Sequence, residues 1–236
     1  MPFSTDILLT SWNSEREEDF MNPWQTILFD LDGTLTDSKP GITRGVQYAL
    51  NHFGIQVANL DDLEAYIGPP LLDSFMKLHG LNQSQAQEAL AQYRAYYTTK
   101  GIFEHRVYPG VPEMLQQLKA AGKTLYVATS KPTPFARQML EKDGLDGFFA
   151  GIYGCFLDGR RTAKAAVIEA VLTEQALHRE HTVMVGDREH DVFGAKTHQL
   201  AVIGVLYGYG SKEELMDAGA TEVVADVATL TRRLLR

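Results

Sequence analysis

Thr26-Ile27-Leu28-Phe29-Asp30-Leu31-Asp32-Gly33-Thr34 is the stretch on which the choice of fold turns. Its first four residues make a short apolar run rich in β-branched and aromatic side chains, which reads as a buried strand. The run stops at Asp30. On a strand, residues two apart point to the same side, so Asp30 and Asp32 face one site. Gly33 lets the chain turn sharply after them. Two carboxylates so close repel, and a divalent cation or a shared proton relieves that. One of them can act as a nucleophile and the other as general acid and base. A strand-end turn with capping aspartates uses the same residues, so this stretch alone leaves both readings open.

Apolar runs recur further along, at residues 124–128, 152–157, 183–185, 201–206 and 222–225, separated by helical patterns. Continuous apolar strands alternating with helices predict an α/β fold with a parallel sheet covered on both faces. Ligands of such sheets bind beyond the carboxyl ends of the strands, so polar residues at those ends can converge. The stretch 37–108 contains no convincing buried strand. Residues 41–53, 61–66, 71–78 and 83–99 have apolar side chains at helical spacing, and Gly68-Pro69-Pro70 breaks the run. The expected division is a polar extension over 1–24, an α/β core over 25–36 and 109–236, and an all-helical insert over 37–108 with hinges near 36–40 and 106–110.

Three more motifs stand beside the first. Thr129-Ser130-Lys131-Pro132 follows the second strand; its hydroxyls and the N–H groups of a following helix can hold a phosphate oxygen, or simply cap that helix. Lys164 can offset phosphate charge near Asp30, but on spacing alone a solvated surface lysine is the better reading. Gly186-Asp187-Arg188-Glu189-His190-Asp191 follows the fourth strand and puts two carboxylates on one face of a helix start. Hard oxygen ligands of that kind suit magnesium, while helix capping by Asp187 is the plainer reading. His190 is read as a neighbour, since magnesium prefers oxygen.

In this order, the four motifs resemble those of the haloacid dehalogenase (HAD) superfamily, over nearly everything from Gln25 onward. The resemblance implies a Rossmann-like core with a helical cap domain inserted after the first strand. It implies that Asp30 is a nucleophile that becomes an aspartyl-phosphate, and that Asp32 protonates the leaving group and then activates water. Thr129, Ser130, Gly33 and Lys164 would hold the phosphoryl group. Asp30, the carbonyl of Asp32, and Asp187 would bind Mg2+, with Asp191 in support. An aspartate at position 32 points to phosphate monoesters, because dehalogenases and phosphonatases lack it. Ile67-Gly68-Pro69-Pro70 resembles the cap loop of phosphoglycolate phosphatases. Residues 185–211 resemble members described as phosphoglycolate phosphatase-like or 5'-nucleotidase-like. The expected activity is hydrolysis of small phosphomonoesters. A 5'-nucleotidase, a β-phosphoglucomutase-like phosphomutase and a catalytically silent binding protein are the alternatives.

The bulk composition bears on partners. The chain has 236 residues, 44% hydrophobic and 22% charged, with a formal net charge of −8. An acidic surface repels phosphate backbones, so a small phosphorylated metabolite rather than nucleic acid is expected. No apolar run reaches the roughly 20 residues that span a bilayer. Residues 15–19 are all charged, unlike a signal peptide, and the lone Cys155 suits a reducing compartment; the expected location is the cytoplasm. Cys155 itself reads as a small core residue, and Tyr207 and Tyr209 as ordinary loop residues. Arg44, Lys77 and Arg94 are anion contacts or, the better reading, solvated helix faces.

Overall fold

The computed structural model describes residues 24–236, so the expected polar extension lies, apart from Trp24, outside the described residues. Trp24 does not belong to a polar segment. It is 6% exposed, its carbonyl accepts a hydrogen bond from Lys123 Nζ (2.7 Å), and its ring lies under the Arg233 guanidinium. An indole buries far more apolar surface than its neighbours in sequence can offer, which pulls the start of the core back by one residue.

Among the described residues the main sheet has six parallel strands in the order β5-β4-β1-β6-β7-β8. These are β1 (Thr26–Phe29), β4 (Thr124–Pro132), β5 (Gly151–Cys155), β6 (Thr182–Gly186), β7 (Ala201–Val205) and β8 (Glu222–Val224). Alternation along β1 sends Leu28 to one face and Ile27 and Phe29 to the other. Leu28 joins a cluster with α6 (Lys164–Glu174), α7 (Glu189–Thr197) and α8 (Lys212–Ala218). Ile27 and Phe29 join a larger cluster with α4 (Val111–Ala120), α5 (Thr133–Lys142) and α9 (Val227–Leu235). Both faces are therefore covered, as continuous apolar strands require.

Several strands differ in length from the sequence reading. β5 ends at Cys155, and Phe156 and Leu157 beyond it are exposed. β7 and β8 each end one residue early, at Val205 and Val224. β4 runs on past Ala128 to Pro132, with a register shift against β5 between those residues. Such a bulge re-aims the side chains that follow it.

The segment after β1 is helical. It contains α1 (Lys39–His52), α2 (Leu71–His79) and α3 (Gln83–Tyr97). The stretch expected as a helix over 61–66 is a 3-10 helix, Leu60–Tyr66, started by Asn59, whose side chain accepts the Asp61 N–H (3.0 Å). Short strands β2 (Thr36–Asp37) and β3 (Arg106–Val107) pair antiparallel where the chain leaves and re-enters the sheet region. Asp37 and Arg106 add an ion pair at 3.0 Å. Ile42, Val46, Phe75 and Tyr97 of the helical segment share one apolar cluster with the sheet.

Candidate active site

β1 sits between β4 and β6, with Phe29 level with both Val127 and Val185. The next residue of each strand therefore emerges at one point, the crevice where chain order reverses. Asp30 lies there. It is 4% exposed, and its N–H donates to the Val185 carbonyl (2.9 Å).

Lys164, the first residue of α6, is buried and not a surface residue. Its ammonium lies 2.8 Å from Asp30 Oδ1 and 2.8 Å from Asp191 Oδ1, and donates to the Ala128 carbonyl (3.1 Å). All three protons are used, the condition for keeping a buried lysine charged. Burial works against that charge, but Asp191 and Asp30 outweigh it and push the pKa up. For Asp30 burial is the largest influence; it raises the carboxyl to about 6, with Lys164 pulling the other way.

Asp187 follows β6 and is fully buried. Burial, then Asp191 and Asp30, raise its pKa well above the ordinary carboxylate value. Its Oδ2 accepts the Tyr209 N–H (2.8 Å) and its Oδ1 the Thr34 hydroxyl (3.3 Å). Asp191 caps its own helix, Oδ2 accepting the Arg188 N–H (3.1 Å). Asp30, Asp187 and Asp191 each bring one oxygen within 4.8 Å of the others. With all three carboxyls ionised, the single ammonium of Lys164 leaves two negative charges, which one divalent cation would balance.

Asp32 points elsewhere. Its Oδ2 lies 2.8 Å from Lys131 Nζ, and its Oδ1 is buried with no partner among the described residues. Its carboxylate is thus outside the acidic trio, which leaves its carbonyl as the group it can offer a metal. Gly33, expected among the phosphate contacts, gives its N–H to the Thr36 carbonyl (2.7 Å). What Gly33 contributes is geometry: its φ is +87°, and a Cβ there would run into the Asp187 carboxylate.

A cavity of about 220 Å³ lies between this floor and the helical segment. Its lining includes the polar Asp30, Asp32, Thr129 and Ser130 and the aromatic Tyr66, Tyr93, Tyr97 and Phe135. Thr129 is 1% exposed and lies within β4, as does Ser130; α5 starts only at Thr133. A second hollow of about 290 Å³, walled by Ser130, Lys164, His190 and Phe193, lies beside Gly68 and Pro70. His190 belongs to that wall. Cys155 is 7% exposed, a small buried residue as its sequence reading expects, and it also lines the first cavity.

Arg44 is exposed and paired with Glu104 (2.9 Å), and Lys77 is exposed. Arg94 departs from the solvated reading: it is half-buried, lines the cavity, and donates to the Leu157 carbonyl (2.9 Å). Four residues make contacts that the motif reading did not assign. Lys131 meets Asp32. Arg188 donates to the Ile67 carbonyl (2.9 Å) and pairs with Glu214 (2.7 Å). Tyr209 is no ordinary loop residue: its hydroxyl accepts the N–H groups of Ser38 and Lys39 and donates to Asp37. Tyr207 likewise donates to the Thr34 carbonyl (3.0 Å). For Lys131 a signal existed, since it lies two residues from Thr129 on an extended chain.

Residues 27–205 match the family of haloacid dehalogenase-like hydrolases. A Pseudomonas aeruginosa protein named 5'-nucleotidase is 47% identical over 211 residues, 89% of this chain and 96% of its own. Tyrosine-protein kinase PtkA of Mycobacterium tuberculosis is 40% identical over 206 residues, 87% of this chain and 70% of its own. A phosphoglycolate phosphatase of Yersinia pestis is 30% identical over 210 residues, 86% of this chain and 90% of its own. A crystal structure from Clostridium acetobutylicum, described as a predicted phosphatase, superposes with a TM-score of 0.88 at 45% identity, covering 90% of this chain and 98% of that one. The chain belongs to the haloacid dehalogenase-like hydrolases.

Proposed function

We propose that the protein is a magnesium-dependent phosphatase that hydrolyses small phosphomonoesters in two steps at Asp30. One observation carries this reading. Two carboxylates leave the end of a single strand, each is held by its own buried lysine, and both open onto one cavity. A nucleophile and a proton donor two residues apart need that separation of environments.

In the first step an Asp30 oxygen attacks phosphorus. The ester P–O bond breaks, its electron pair stays with the leaving oxygen, and Asp32 gives that oxygen a proton. In the second step Asp32 takes a proton from water, whose oxygen attacks phosphorus, and Asp30 leaves as the carboxylate. Lys164 keeps Asp30 ionised and turned toward the cavity. Thr129 and Ser130 hold phosphoryl oxygens. Magnesium, held by Asp30, Asp187 and the Asp32 carbonyl with Asp191 in support, would supply positive charge against the phosphoryl oxygens. The trio's excess of negative charge fits that cation.

Residues 37–108 form, on this reading, a cap that covers the site and excludes water during the first step. The paired strands β2 and β3 are its stem, and 25–36 with 109–236 are the core. The aromatic walls of the cavity support a leaving group with a flat ring, since rings stack on rings. Nucleoside 5'-monophosphates therefore stand ahead of phosphoglycolate, a small diacid. The lone cysteine and the absence, among the described residues, of a helix long and apolar enough to cross a membrane support a cytoplasmic location.

Phosphate release should be measured from nucleoside monophosphates, phosphoglycolate, sugar phosphates, phosphotyrosine and an aryl phosphate, with magnesium and with chelator. Magnesium-dependent release is expected, falling on the order of 10⁴-fold in Asp30→Asn. Full activity in that variant removes the proposed nucleophile.

A further inference from the structure

We propose that Lys131 and Tyr97 form a positioning pair that aims Asp32, so that its Oδ1 is the oxygen that exchanges a proton with the leaving group. This inference rests on the two-step phosphatase reading above.

The placement of Lys131 begins with the bulge in β4. Between Ala128 and Pro132 the strand slips against β5 and sends the Lys131 side chain into the site. Gly154 of β5 permits this path, because a Cβ there would strike the Lys131 carbonyl. The side chain is 5% exposed. A lysine so buried stays charged only when its protons are taken up. One goes to Asp32 Oδ2 at 2.8 Å and one to the Tyr97 hydroxyl at 2.7 Å. Tyr97 is 1% exposed, stacked on Tyr93 with ring centroids 5.1 Å apart, and its own proton points to Met139 Sδ at 3.6 Å. The ammonium is thus fixed from both sides.

The asymmetry at Asp32 is what points to function. The closest contact of Lys131 is with Oδ2, and Oδ1 is buried with no hydrogen-bond partner among the described residues. An ion pair built only for stability would not leave a buried oxygen unpaired, because that costs free energy. Asp32 lines the cavity beside Asp30, where the leaving oxygen of an ester held on Asp30 must lie. Tyr97 belongs to α3 of the helical segment and Lys131 to the sheet. The carboxylate is therefore held in this rotamer by groups from both parts of the molecule.

The test uses leaving groups of different need. An alkyl phosphate cannot lose its alkoxide without a proton, whereas 2,4-dinitrophenolate leaves without one. With the full chain and magnesium, first-turnover alcohol release is measured for a nucleoside 5'-monophosphate and for 2,4-dinitrophenyl phosphate. In Lys131→Met the alkyl ester is expected to slow by about a hundredfold and the dinitrophenyl ester by no more than about threefold. Lys131→Arg restores part of the alkyl rate. Tyr97→Phe keeps the ring and shows the same selectivity at smaller size, and it carries the test should Lys131→Met fail to fold. Equal slowing on both esters, or no slowing on either, overturns the proposal. A wild-type protein that releases neither alcohol overturns the phosphatase reading instead.

Discussion

The Tyr209 hydroxyl accepts the N–H groups of Ser38 and Lys39, both at 3.0 Å, and donates to Asp37 Oδ1 at 2.9 Å. One oxygen thus closes the turn through which the chain leaves the core for α1. Replacing Tyr209 by Phe strands the Ser38 N–H, in a residue 1% exposed, and takes one bond each from Lys39 and Asp37, which keep each other at 3.3 Å. The expected loss is about 1–3 kcal/mol, or about 2–12 °C in thermal midpoint. A melting curve that does not move would show that water replaces the hydroxyl without cost. Residues such as this one mark the limit of a sequence reading. The places of Asp30, Asp32, Thr129, Asp187 and Asp191 were legible because each sits at the end of an apolar run or the start of a helix, a place local pattern defines, whereas Lys164 stood out only through the order of the motifs. Tyr209 lies 172 positions from Asp37, and nothing in its neighbours encodes that meeting. Lys131 was half-legible: its position beside Ser130 was plain, but the bulge that turns it inward was not.

Elements were read well where periodicity is strong and less well where a third partner decides. The six strands were each found, yet β4 runs on to Pro132 because β5, through Gly154, offers it a surface to follow. The stretch Leu60–Tyr66 is wound as a 3-10 helix, and its last residue, Tyr66, places its hydroxyl 2.6 Å from His79 Nδ1 at the end of α2. That contact ties two elements that each have few residues to hold them. Burial lowers the His79 pKa from its ordinary value of 6.5. A base with a depressed folded pKa stabilises the fold above its unfolded value and loses that contribution as pH falls. The wild-type midpoint minus that of His79→Gln should therefore be larger at pH 7.5 than at pH 5.5. Taking the difference removes carboxylate effects common to both proteins. A difference that is constant with pH would mean that His79 is as well solvated folded as unfolded.

For the whole molecule, the telling quantity is the distribution of charge inside an acidic protein. Asp32 is balanced by Lys131, and Asp30, Asp187 and Asp191 share only Lys164. The sheet brings these groups together from β1, α6 and the β6–α7 turn, so their mutual repulsion exists only in the folded state. Folding therefore carries an electrostatic cost that a bound divalent cation relieves, and binding to the folded state alone raises stability. Magnesium at about a hundred times its dissociation constant should add about 2.7 kcal/mol, or about 5–10 °C in midpoint. Chelator should remove that gain. Asp187→Asn changes both ends of the comparison in opposite senses. It takes one charge out of the buried trio, so the variant without metal should melt no lower than the wild type apart from the hydrogen bonds of Asp187 to Tyr209 and Thr34. It also removes a proposed magnesium ligand, so magnesium should no longer raise its midpoint. The two signs together separate a metal site from a merely crowded acidic cluster. An equal magnesium shift in wild type and variant would place the cation elsewhere on the acidic surface.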